Sequence, residues 1–378
     1  MSVRALYVCY LAFIGIGAAN TLLGAILPAL SARLALTDLA SGNLFVAQSL
    51  GSLTGTVLSG RLIGKFGYQA TSAIGVALTA GAMIGIGWLD WYGVLLAFLL
   101  NGFGLGLSIP AINLFIAAKT INKAAALNIL NFAWGIGALL GQPLVNFFGA
   151  PPHNVRLPVA MLALLLVVSA MLLLLTTRRE SVQTEQTITE YNRGQLLLLL
   201  PVALLLFVYV GAEQSVGGWI ASYSLRLQPA NNLLLTPGTA FWAAFMLARL
   251  VAPLFIRRVA ADNFLIGCSI LIVFGLALLL LANTLEAIVL AVVFAGFGLG
   301  PIFPTTIART AERLGEATMR KTSWLLFVSA TLGGACITWS VGVVSTSLGS
   351  LRAGLLVTLV AGLLIFVFQI ISARLTTR

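Results

Sequence analysis

Twelve apolar runs divide the chain, cut by charges, prolines and clusters of Gly, Asn and Asp. They lie near residues 5–30, 41–63, 69–89, 92–118, 122–149, 157–176, 195–223, 237–256, 263–283, 287–308, 322–348 and 352–373. A helix that crosses a bilayer needs roughly 20 predominantly apolar residues, and each run supplies about that length. The pattern predicts an all-α integral membrane protein with twelve transmembrane helices. The first run is too long for a signal-peptide core and a second follows at once, so it reads as a retained span.

Composition agrees with the pattern. Of 378 residues, 60% are hydrophobic and 8% charged, against about 25% charged in a soluble domain. A soluble enzyme and a disordered chain are excluded. The formal net charge of +11 would suggest nucleic acid if it were clustered, but its distribution follows membrane topology. With the runs numbered alternately, the side that holds the N-terminus collects sixteen Lys and Arg residues. The other side collects Arg33, Arg156, Arg226 and Arg352, and Arg249 falls inside the eighth run. The excess of basic residues marks the cytoplasmic side, so both termini are expected there, in a plasma membrane or, for a bacterium, the inner membrane. Three cysteines without a spacing pattern and the single His153 offer neither a disulfide framework nor a metal site. No cofactor is expected.

The chain also repeats itself. Gly-Phe-Gly-Leu-Gly occurs at 102–106 and at 296–300, an offset of 194, and Pro110 matches Pro304 at the same offset. The segment 17–24 aligns with 211–218, which pairs Asn20 with Gln214 and Ala19 with Glu213. Near an offset of 196, Phe45 meets Phe241 and Arg61 meets Arg257. The polar stretch 177–194 sits between runs six and seven. The expected organisation is therefore two pseudo-symmetric six-helix bundles, 1–176 and 195–378, joined by a cytoplasmic linker, 177–194. Two parallel repeats of this kind are the plan of alternating-access transporters.

Several motifs carry a family resemblance. Gly60-Arg61-Leu62-Ile63-Gly64-Lys65-Phe66-Gly67 resembles the loop motif after the second helix of the major facilitator superfamily, with Gly64 where that family has an acid. Run seven, Tyr209-Val210-Gly211-Ala212-Glu213-Gln214-Ser215-Val216-Gly217-Gly218-Trp219, resembles the seventh helix of the fucose/glucose–proton symporter group. Phe241-Trp242 and Gly300-Pro301-Ile302-Phe303-Pro304 fit the same group. The resemblance implies a secondary transporter, a symporter by type, for a sugar held between the two halves. Fucose–proton symporters carry carboxylates in the first and fourth spans, and runs one and four here have none.

An acid inside a span is costly and is a functional candidate by default. Glu213 is the one acid well inside a run, and it is expected to carry coupling to H+ or Na+. Counted from Gln195 it lies about 27 Å along its helix, at 1.5 Å per residue. Arg249 lies eight residues before Arg257 and Arg258, a depth that argues against a direct pair with Glu213. Asn20, Asn101, Asn128, Asn131 and Gln214 supply amides, which donate and accept as sugar hydroxyls do. Trp134 joins Asn128 and Asn131 in run five as a solute contact, and Trp219 and Trp242 could stack on the apolar face of a pyranose. Arg61, Lys65 and Arg249 are candidate gating residues. Gly102, Gly296, Pro110 and Pro304 would permit close helix approach and bends.

The leading expectation is a monomeric carrier of a small polyhydroxylated solute, working in the lipid bilayer with no nucleic-acid partner. An exporter of drugs or amphipathic molecules would use the same fold. A sugar sensor without transport is the alternative from another class, and the short linker and tail argue against it. An enzyme finds no support, because one His and one buried acid build no catalytic pair.

Overall fold

A computed structural model describes residues 3–149, 154–177, 193–227 and 236–374. Among them run twelve helices: α1 (Val3–Leu34), α2 (Asp38–Phe66), α3 (Tyr68–Trp88), α4 (Trp91–Lys119), α5 (Lys123–Phe148), α6 (Arg156–Leu175), α7 (Arg193–Leu227), α8 (Pro237–Ile256), α9 (Ala261–Leu281), α10 (Leu285–Leu314), α11 (Glu316–Leu348) and α12 (Leu351–Arg374). Residues 178–192, nearly all of the expected linker, lie outside the described residues.

Four helices, α4, α5, α8 and α10, begin where the sequence supplies an acceptor for the unpaired N–H groups of a first turn. Asp90 accepts from Gly93 N, Asn122 from Ala125 N, Thr236 from Thr239 N and Thr284 from Ala287 N. Thr236 is followed at once by Pro237, whose missing N–H costs nothing there. Gly67 and Gly315 separate consecutive helices with φ of 83° and 79°, a region that glycine enters without steric cost.

Eleven of the helices are long and apolar enough to cross a membrane. The exception is α2. The run expected at 41–63 does form a helix of 29 residues, but Ser41, Gln48, Ser52, Thr54, Thr56, Ser59 and Arg61 make it polar. The motif expected as a loop after the second helix is also corrected: residues 60–66 continue α2, and the chain turns only at Gly67.

The chain divides into two compact units, Met1–Leu36 with Asn43–Gln186, and Thr37–Gly42 with Thr187–Arg378. Inside the first, α1 packs on α5, and α3 packs on α4 and α6. Inside the second, α7 packs on α11 and α12, α9 on α10 and α12, and α8 on α10. The pairs α1–α5, α3–α4 and α3–α6 thus recur as α7–α11, α9–α10 and α9–α12.

Close approaches between helices fix the register of this repeat. A methyl group added to Gly102 or Gly106 of α4 would collide with the Gln48 or Ser52 carbonyl of α2. One added to Gly296 or Gly300 of α10 would collide with the Phe241 or Phe245 carbonyl of α8. The glycines keep the offset of 194, but their partners are related by 193 (Gln48 to Phe241, Ser52 to Phe245) rather than 196. The same holds for α1 and α7. Gly137 of α5 meets the Ile14 carbonyl, and Gly333 of α11 meets that of Phe207. Gly141 approaches Ala18, and Ile337 packs on Gly211. Helix packing therefore matches Asn20 with Glu213 and Thr21 with Gln214, one residue away from the alignment that the sequence suggests.

The second unit also contains the first turn of α2. There Arg226 Nη1 donates to Asp38 Oδ2 at 2.8 Å, and Ser345 Oγ donates to the same carboxylate. Leu39 N donates to Thr346 Oγ1 at 2.8 Å. Burial works against the Asp38 charge, but the Arg226 and Ser345 hydrogen bonds and the Arg226 charge outweigh it and hold its carboxyl below the usual range.

Candidate functional site

Two of the expected residues come together deep in the second unit. Glu213 lies on α7, buried, with 7% of its surface exposed. Arg249 on α8 acts on its charge, and the Tyr209 hydroxyl faces both. Arg249 lies near enough for its charge to act on Glu213, without a direct ion pair among the described residues. A depth count from Gln195 and from Arg257 assumes that these two positions lie at one level. Counted from the opposite ends, Glu213 is fourteen residues before Leu227 and Arg249 twelve after Pro237, about 21 and 18 Å.

The apolar walls of this cluster are aromatic. The Arg249 guanidinium lies over the Phe245 ring at 4.3 Å, an arrangement that gains from the ring quadrupole. Tyr209 packs against Phe303 at 6.0 Å between centroids, and Phe303 against Phe327 at 6.0 Å. Arg249 Nε donates to the Gly300 carbonyl at 3.0 Å. The Tyr209 hydroxyl is fully buried and makes no hydrogen bond of ordinary geometry. A buried polar group in that state is costly, so this hydroxyl is available to a ligand or to the carboxylate beside it.

The other expected residues are dispersed within their own units. Trp219 is fully buried, and its Nε1 donates to the Thr338 carbonyl at 3.0 Å. Trp242 is buried between Phe241 and Phe245, edge-on to both at 5.0 and 5.4 Å. Neither indole is placed to stack on a solute; each fills the space its helix leaves against a neighbour. Asn101 is wholly enclosed, and both its amide atoms lack a partner. Asn128 and Asn131 are exposed on one face of α5, where Asn131 Nδ2 donates to the Leu127 carbonyl at 3.0 Å. Trp134, Asn20 and Gln214 are half-buried. The Asn20 backbone carbonyl accepts from Gln48 Nε2 at 3.3 Å, and Gln214 lies beside Gly334 of α11. Arg61 and Lys65 are exposed at the end of α2. Pro110 and Pro304 lie inside α4 and α10. Tyr209 and Phe245 were not expected at the site. Tyr209 is four residues before Glu213, on the same helical face, which is the signal that would have found it.

The model of the Major Facilitator Superfamily matches residues 9–338. The chain belongs to this superfamily. As a superfamily member it is a multi-pass membrane transporter and not an enzyme. It is 24% identical over 311 residues to the glucose/mannose transporter GlcP of Bacillus subtilis (strain 168), covering 78% of this chain and 76% of that relative. Among solved structures it resembles a mutant form of the nucleoside transporter NupG, with a TM-score of 0.79, 14% identity and 98% of each chain covered. A D-xylose-proton symporter gives a TM-score of 0.78 and 16% identity over 97% of this chain and 96% of the other. At these identities the structures establish the fold alone. In this superfamily member, the charged cluster of α7 and α8 is confined to the second unit.

Proposed function

We propose that this transporter moves a small neutral polyhydroxylated solute, a monosaccharide, by alternating access, and that Glu213 couples the movement to H+ or Na+. The observation that carries the reading is the enclosed cluster of Glu213, Arg249 and Tyr209. A carboxylate balanced by a guanidinium presents no net charge to a solute, so the cluster favours a neutral cargo over a sugar acid. The carboxylate accepts hydrogen bonds from solute hydroxyls, and the phenol both donates and accepts them. The sugar assignment is supported by the likeness to GlcP, a glucose/mannose transporter, and by the exposed amides Asn128 and Asn131. In this reading the carrier is a monomer in the plasma membrane, the inner membrane of a bacterium, with both termini cytoplasmic. The Lys and Arg asymmetry supports that orientation.

The test uses purified protein in two assays. Its unfolding midpoint is measured against neutral monosaccharides, sugar acids, nucleosides and lipophilic cations. A ligand at 100 times its Kd adds about 2.7 kcal/mol. Stabilisation by a neutral sugar is the expected result, and stabilisation by lipophilic cations alone would favour the exporter reading. In proteoliposomes, Glu213→Gln is expected to lose gradient-driven accumulation while keeping solute exchange. Full accumulation in that variant would remove Glu213 from coupling.

A further inference from the structure

Pro304 lies inside α10. It has no N–H to give to the carbonyl four residues back, which is that of Gly300. A helix carbonyl freed in this way inside a membrane needs a donor from elsewhere, and here the donor is Arg249 Nε, at 3.0 Å. The approach is close because Gly300 has no side chain. A methyl group there would collide with the Phe245 carbonyl and press on Ala248. The same guanidinium lies near enough for its charge to act on Glu213, and its plane rests on Phe245. One side chain of α8 therefore bonds α10 at the gap in its hydrogen-bond ladder and acts through its charge on Glu213 of α7.

The first unit lacks this link. Pro110 likewise leaves the Gly106 carbonyl without its helical donor, but the position that matches Arg249 is Thr56. Asn20 stands where the second unit has Glu213. The gap in the ladder is repeated, and the charged connection to it is not.

We propose that Arg249 is a positioning residue that ties the state of the Glu213 carboxylate to the interrupted segment of α10 at residues 300–304. When a proton, cation or solute hydroxyl neutralises or occupies Glu213, the pull on the guanidinium weakens. Its hydrogen bond to Gly300 then becomes free to rearrange, and α10 responds. This rests on the reading of Glu213 as the coupling group, and the experiment separates the two.

The experiment is a double-mutant cycle between Arg249 and Pro304. Arg249→Lys keeps the charge for Glu213 but removes the Nε–H that Gly300 uses. Pro304→Ala and Pro304→Ser each restore a backbone N–H at position 304, so the Gly300 carbonyl no longer depends on Arg249. Turnover and KM for the solute are measured in proteoliposomes, and the unfolding midpoint is measured on the same preparations. Arg249→Lys is expected to lower turnover roughly tenfold, the size of one lost charge-assisted hydrogen bond, with little change in KM. Either substitution at Pro304 is expected to return most of that loss and to narrow the midpoint difference between Arg and Lys. An Arg249→Lys loss of turnover that is equal with Pro, Ala or Ser at 304 would overturn the proposal, even if the midpoints are coupled. Unchanged turnover in Arg249→Lys would overturn it too. If Glu213→Gln accumulates solute normally while the Arg249–Pro304 midpoints remain coupled, the coupling role of Glu213 fails and the carbonyl contact stands alone.

Discussion

The inner faces of α1, α2 and α4 and of α7, α8 and α10 share a packing scheme but differ in chemistry. In each unit two glycines, 102 and 106 or 296 and 300, press against backbone carbonyls of the neighbouring helix. Around that common seam the first unit places Ile16, Asn20 and Thr56, and the second places Tyr209, Glu213 and Arg249. The starts of α3 and α9 differ in the same sense. At the start of α3, Tyr68 packs on Phe115 at 6.3 Å. At the start of α9, Asp262 forms ion pairs with Arg309 and Arg313 of α10. Backbone contact was retained through the repeat, while charge was placed in one copy. The shared scaffold therefore reports the fold, and the difference reports the site.

Four experiments would break or sharpen the comparison. The largest effect is expected from stripping one charge of the second unit and leaving the other. Arg249→Met leaves Glu213 buried without its counter-charge, a loss of about 3 kcal/mol. Glu213→Gln with Arg249→Met makes the cluster neutral like that of the first unit and should recover most of that loss. Urea or thermal unfolding in detergent measures both, and a double variant as unstable as the single one would deny the pair. Next is the seam itself. Gly102→Ala drives a methyl group into the Gln48 carbonyl and should cost about 2 kcal/mol. Gly296→Ala, where the same contact to Phe241 is 2.6 Å, should cost less, and equal midpoints would show that the two seams are packed alike.

A third effect concerns a contact that the first unit does not possess. Asp38→Asn removes the charge that holds Arg226 and should cost about 1.5 kcal/mol, reduced because Arg226 is half exposed. The sign with pH follows from its lowered carboxyl. Asp38 contributes its full stability above the unfolded value of about 3.9 and loses it as pH falls through the folded one. The stability gap between wild type and Asp38→Asn should close below that range, and a constant gap down to acid pH would refute the assignment. The smallest effect is expected at the aromatic pair. Phe115→Leu should cost about 1 kcal/mol, read by the same unfolding midpoint.

Much of the fold is legible in the sequence because apolar length alone marks a span. Eleven helices follow their runs closely. The exception, α2, is legible as a helix from its place between two turns, although its serines and threonines dilute its hydropathy. The repeat is visible in Gly-Phe-Gly-Leu-Gly, but its register is not. Two Gly-rich helices align almost equally well one residue apart, and only the carbonyl each glycine touches selects between the alternatives. Glu213 stands out because an acid within a span is rare. The nearness of Arg249 does not, because a depth counted from one end of each helix depends on where that helix begins. Trp219 and Trp242 are buried against neighbouring helices. An indole suits a sugar and a packed seam equally, and its composition cannot say which.

The polarity of α2 also bears on how the protein is made. A segment with nine hydroxyl, amide or guanidinium side chains along 29 residues gains little by entering lipid on its own. It is connected to α1 by three residues, 35–37, and to α3 by Gly67 alone. During synthesis α2 must therefore leave the translocation machinery in the company of its neighbours. Substitutions that slow the emergence of α3 would then reduce the yield of inserted protein without altering any property of the protein that succeeds.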